Sequence, residues 1–187
     1  GTYQTYVGLA ALAAIFTLAV MLAEGKKIKE AAEGLLFYAI TGIGGSVIYL
    51  IHIKIDMMIF GLSSGSRVDE VSLSETVRCM PMVTSNAYRD LGWYFFSPIV
   101  GRHILYGVFF VLLLFAVIRI SAVLIKAKKI WNPVLIAILI LISPVTANIC
   151  AYLTPFQPVD YLMNYQLILV IPFTLALFEL QGRENRN

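Results

Sequence analysis

Residues 104–125 read ILYGVFFVLLLFAVIRISAVLI, an apolar run whose one charged side chain is Arg119. A bilayer core about 30 Å thick is crossed by roughly 20 such residues in a helix. Four further stretches, residues 6–23, 35–53, 133–153 and 161–180, have the same character, and each ends in a charged or turn-forming cluster. The runs are continuous rather than alternating, so helices and not barrel strands are the spanning form. The fold predicted is all-α: a polytopic membrane bundle of about five transmembrane helices, forming one membrane domain over residues 1–187, with an extracytoplasmic interfacial segment at residues 54–103.

Composition agrees. Hydrophobic residues make up 59% of the chain, mean hydropathy is +0.83, and charged residues are 13%, against about 25% in ordinary soluble domains. An aqueous domain is excluded on that basis. The first run has no basic residue before it and no small-residue cleavage site after it, so it reads as a span and not as a cleaved signal. The chain starts at Gly1 without an initiator Met, which fits the carboxyl-terminal part of a longer protein.

The formal net charge is +3, and its placement carries more information than its size. Lys26, Lys27 and Lys29 follow the first run, Lys126, Lys128 and Lys129 the third, and Arg183 and Arg186 the fifth. Five spans put these clusters on one side, and short loops rich in Lys and Arg stay cytoplasmic. The amino terminus is then outside, the carboxyl terminus cytoplasmic, and residues 54–103 outside. Cys79 and Cys150 belong to no recognised pairing pattern and read as free thiols. His52 and His103 have no Cys or carboxylate at ligand spacing, so neither a metal site nor another cofactor is expected.

Within the runs, Gly42, Gly44 and Gly45 predict a face for close helix packing. Pro144 and Pro172 predict kinks, and Arg119 is placed to snorkel to the inner surface. Residues 26–34 read as a short interfacial helix. Residues 54–60 are apolar enough to lie in the interface, residues 69–79 can form a helix, and the aromatic stretch 85–96 suits the outer headgroup level.

Polar groups gather on the predicted outer face: Gln4, Asp69, Glu70, Glu75, Arg78, Arg89, Asp90, Arg102, His103 and Asp160. Moving a sugar off a lipid phosphate needs a carboxylate to take the acceptor's proton and a cation to hold the phosphate. Asp90 and Asp160 are candidates for the first role. Gln4, Arg89 and Arg102 are candidates for substrate binding. Each also reads as an ordinary group of a wetted loop, or as an anchor to anionic lipid. Asn164 and Gln166 are expected to face the bundle interior. Phosphate-cradling Gly loops, nucleophile elbows and zinc helices are missing from the sequence, and the scattered basic residues argue against nucleic acid.

The opening sequence Gly1-Thr2-Tyr3-Gln4-Thr5-Tyr6-Val7-Gly8 resembles the start of a span in the membrane glucosyltransferases that modify O-antigen. The Lys-rich connector, the span ending Ile48-Tyr49-Leu50-Ile51-His52-Ile53-Lys54-Ile55, the stretch from Asn86 to Phe96 and the final span with Met163-Asn164-Tyr165 follow in the order of that family. The resemblance implies a GT-C-type enzyme of the bacterial inner membrane. It would take glucose from a polyprenyl-phosphate donor and place it on a cell-surface polysaccharide acceptor. It also implies a main catalytic carboxylate in an earlier loop, before Gly1, so that these residues alone are inactive. A basic residue implied near the start of the last span is replaced here by Asn164. Two other classes remain open: a transporter or flippase piece with broken helices at Gly42, Gly44, Pro144 and Pro172, and a non-catalytic membrane subunit.

Overall fold

A computed structural model describes residues 2–61, 73–96, 102–152 and 167–184. Its main elements are six α-helices: α1 (Thr2–Ala23), α2 (Ile28–Phe60), α3 (Leu73–Phe96), α4 (Arg102–Lys126), α5 (Trp131–Ala147) and α6 (Val170–Glu184), with a 3₁₀ turn at Ile149–Tyr152 after α5. The all-helical expectation holds among the described residues. Two helices, α2 and α4, are long and apolar enough to cross a bilayer, while Val7–Ala23, Trp131–Ala147 and Leu167–Gly182 are shorter apolar helical stretches.

Four helices supply most of the core, with Ala31 of α2 added at its edge. In α1 the residues Leu12, Phe16, Ala19, Leu22 and Ala23 form a buried stripe, met by Leu113, Ala116, Ile120 and Leu124 of α4, Ile136 and Ala147 of α5, and Val170, Phe173 and Leu177 of α6. The steps of three and four residues keep each set on one helix face. Phe16 stacks on Phe173 with ring centroids 4.2 Å apart. The alanines let helix backbones approach closely, which is how helices associate where lipid supplies no hydrophobic drive. The opposite faces are apolar too, with Leu114, Phe115 and Ile118 of α4 exposed.

The turn after α1 is fixed by backbone geometry. Gly25 adopts φ +73°, its N–H bonds Leu22 O at 3.0 Å, and the N–H of Lys26 bonds Met21 O at 3.1 Å, the Schellman pattern that uses up the last carbonyls of a helix. A β-carbon at Gly25 would sit 2.7 Å from Lys129 Nζ. The turn after α4 repeats the pattern, Lys128 N to Ile125 O at 3.0 Å and Lys129 N to Leu124 O at 2.9 Å, with Lys128 at φ +59° in the glycine-like position.

The two turns are clamped together. Lys129 Nζ donates to Gly25 O. Asn132, buried near the start of α5, donates from Nδ2 to Leu22 O at 2.9 Å and to Lys26 O at 3.1 Å. Lysines 26, 27 and 29 therefore lie at the same end of the bundle as lysines 126, 128 and 129.

Several local expectations are corrected. Residues 28–34 are not a separate interfacial helix, because α2 begins at Ile28 and runs unbroken to Phe60. Gly42, Gly44 and Gly45 do not pack on the bundle: a β-carbon at any of them would meet nothing within 4 Å, since α2 touches the bundle chiefly through α1, with Gly34 against Leu18 and Met21. Residues 54–60 continue the same helix, with His52 Nε2 3.3 Å from Asp56 Oδ2, until Gly61 stops it at φ +61°. Pro172 does not kink α6. It lies in the first turn, where its missing N–H has no helical partner to lose.

Asn132→Ala leaves two carbonyls of the α1–α2 turn without their side-chain donor, and thermal unfolding in detergent should show a loss of about 1–3 kcal/mol. Thr174→Val should cost far less, although Thr174 is equally buried. Its hydroxyl only adds to Val170 O within its own helix.

Candidate functional site

Helix α3 is amphipathic, and its apolar positions fall four apart. Val83 and Ala87 are buried and Leu91 packs on the core cluster, which sets the helix against α4, α5 and the 3₁₀ turn. Residues 85–96 are therefore one part of a 24-residue helix docked on the bundle. Pro81 is accommodated inside that helix.

Hydrogen bonds around Pro144, a proline inside α5, add to that packing. Pro144 has no N–H, so the carbonyl of Ile140, four residues earlier, loses its helical donor. Ser143 Oγ donates to Ile140 O at 2.7 Å in its place. The next carbonyl, Leu141 O, accepts Tyr88 OH of α3 at 2.6 Å. One turn back on α3, Thr84 Oγ1 lies 2.7 Å from Tyr152 OH and 2.8 Å from Met80 O. With its single proton given to Met80, the Thr84 hydroxyl accepts from Tyr152. Asn148, also buried, closes the end of α5 by donating from Nδ2 to Pro144 O at 3.0 Å.

On this docked helix sit two of the residues singled out from the sequence. Arg89 Nε lies 4.0 Å from Asp90 Oδ1, with the Arg89 side chain 74% exposed and that of Asp90 28% exposed. Burial raises the Asp90 carboxyl above its ordinary pKa, and the neighbouring Arg89 cation opposes that rise. A half-buried carboxyl that keeps its proton more readily is suited to proton transfer, and an exposed guanidinium is suited to a phosphate.

The other candidates are placed less fully. Gln4 lies in the first turns of α1 and Arg102 is the first residue of α4, while their side chains are outside the described residues. Asp160 is outside them altogether, as are Asn164 and Gln166. Because α1 and α4 both lead into the clamped turns, Gln4 and Arg102 start their helices at the opposite end, toward which α5 carries the 3₁₀ turn. That turn contacts both α1 and α3. Arg89 and Asp90 are the pair that the structure shows side by side.

Thr84, Tyr88 and Tyr152 were not singled out by sequence reasoning. The spacing of Thr84 and Tyr88 on one face of α3 and the proline in α5 were the available signals. Cys79 is a free thiol, as expected. No group of three or more His, Cys, Asp or Glu side chains able to hold a metal occurs among the described residues. No family model, curated protein or solved structure matches the chain.

Asp90→Asn should stabilise the fold at neutral pH. With a folded pKa above the unfolded one, native stability falls as pH rises from the ordinary carboxylate range through the raised value. The advantage of Asn over Asp should disappear on acidification below that range, which thermal melts across pH 3–7 in about half-unit steps will check. Tyr88→Phe should loosen α3 by about 0.5–1.5 kcal/mol, read as faster amide exchange in residues 80–92 with α1 unaffected.

Proposed function

We propose that the chain is a membrane-embedded helix bundle belonging to a lipid-linked sugar transferase of the bacterial inner membrane, acting on a polyprenyl-phosphate hexose at the end opposite the lysine turns. The acceptor in this reading is a cell-surface polysaccharide and the sugar is glucose. The membrane part rests on α2 and α4 and on the apolar outer faces of the bundle. Exposed apolar surface of this extent is unfavourable in water and ordinary in lipid. Lysines at one end make that end cytoplasmic, and α3 then faces the outer side.

The observation that carries the catalytic reading is the Arg89–Asp90 pair on a helix anchored to the bundle. Anchoring matters because a group held by hydrogen bonds and packing is already oriented when substrate arrives. The sequence resemblance supplies the reaction class. The transporter alternative has less support: α2 is unbroken through Gly42 and Gly44, α5 is unbroken through Pro144, and beside that proline Ile140 O and Leu141 O each accept from a protein hydroxyl. Broken-helix ion sites need such carbonyls for the ion.

The chain in vesicles should bind a polyprenyl-phosphate glucose probe in preference to the bare polyprenol. Arg89→Ala should weaken binding roughly ten- to a hundredfold, the range for a charge-assisted hydrogen bond, with Arg89→Lys recovering part of it. Ser85→Cys should react with an impermeant thiol reagent from the periplasmic side. Equal affinity for probe and polyprenol, or labelling of Ser85→Cys from the lysine side, would overturn the proposal.

A further inference from the structure

The clamp between the two turns assembles a surface that the sugar-transfer reading does not use. Six lysines, 26, 27, 29, 126, 128 and 129, come from chain segments a hundred residues apart and are all exposed. Three glutamates share the region, Glu24, Glu30 and Glu33. Glu24 pairs with Lys26 at 3.1 Å and Glu33 with Lys29 at 3.9 Å, and Lys129 is engaged with Gly25 O. Lys27, Lys126 and Lys128 form no ion pair among the described residues.

Lys128 adds an independent point. In the equivalent turn after α1 the left-handed position belongs to Gly25, which adopts it freely. After α4 a lysine stands there at φ +59°, in a conformation that residues with a β-carbon disfavour. A residue kept against its backbone preference points to a use for its side chain. Beside it, Ile130 and Trp131 are exposed, Trp131 at 69%, and an exposed tryptophan next to lysines marks headgroup depth.

We propose that this lysine-lined end binds anionic phospholipid headgroups of the adjoining leaflet, with Lys27, Lys126 and Lys128 as the phosphate ligands and Trp131 setting the depth. The inference rests on the membrane reading given above but not on the sugar-transfer chemistry. Ammonium groups near an anionic leaflet gain about 1 kcal/mol each, so removing each lysine should lower the preference for anionic lipid on the order of fivefold.

The test reconstitutes the full chain into vesicles of phosphatidylcholine with and without phosphatidylglycerol, then compares the two lipids retained on the extracted protein by native mass spectrometry. Native protein should retain phosphatidylglycerol preferentially, and Lys27→Gln with Lys126→Gln should lose most of that preference. Lys128→Gly removes one charge while relieving the turn, so it should bind anionic lipid less and unfold no earlier. Lys54→Gln, on α2 away from the patch, should change nothing. Equal retention of both lipids by native protein, undiminished preference in the lysine variants, or displacement of the lipid by millimolar inorganic phosphate would each overturn the proposal. A chain that fails to enter either vesicle defeats the membrane reading itself, whereas one that enters both without preference defeats only the headgroup site.

Discussion

A backbone carbonyl that loses its helical donor inside an apolar bundle must find another, because water is not there to take its place. This constraint places most of the structure. At the end of α1 the orphan carbonyls are met by the Schellman turn, by Asn132 and by Lys129. At Pro144 in α5 the carbonyl left without a helical donor, Ile140 O, is met by Ser143, and Tyr88 of α3 adds a bond to the neighbouring Leu141 O. The first set joins the α1–α2 turn to the α4–α5 turn, and the second adds Tyr88 to the apolar packing that docks α3.

The same bonds separate charge along the molecule. Joining the two turns gathers the lysines at one end, while docking α3 on the far half of α5 brings Arg89 and Asp90 toward the other. The half-buried state of Asp90 follows from this, since it lies between Ala87 and Leu91, both packed inward. Its raised pKa is therefore a consequence of α3 docking rather than a property of the dipeptide. Loosening Tyr88 would be felt first as a more ordinary carboxyl at Asp90.

The helical class and the common side of the two lysine clusters were legible in the sequence, because run length and loop charge are sums over many residues. Features that hinge on one residue were not. Residues 35–53 read as a span followed by a separate interfacial stretch at 54–60, yet α2 continues as one helix to Gly61. Gly42, Gly44 and Gly45 read as a packing face, but a β-carbon at any of them would meet nothing within 4 Å. Periodicity says which residues share a face and not whether another helix arrives there. Of the candidate site, the adjacency of Arg89 and Asp90 was trivial in sequence, whereas the burial of Asp90 depended on contacts with helices that follow later in the chain.

Helix α2 bears most directly on the surroundings of the whole molecule. Over 33 residues it would extend about 50 Å at 1.5 Å per residue, longer than a bilayer core, and its apolar surface is exposed nearly all round, from Leu36 and Phe37 to Met58 and Phe60. In water such a helix would need a protein partner along its length, since apolar residues on every side leave no face that prefers solvent. In lipid it needs none, because the chains satisfy the apolar surface and the backbone is satisfied internally. The charged residues fit that environment as well. Lys29, Glu30 and Glu33 stand near one end and His52, Lys54 and Asp56 toward the other, separated by a run of crossing length that is free of charge.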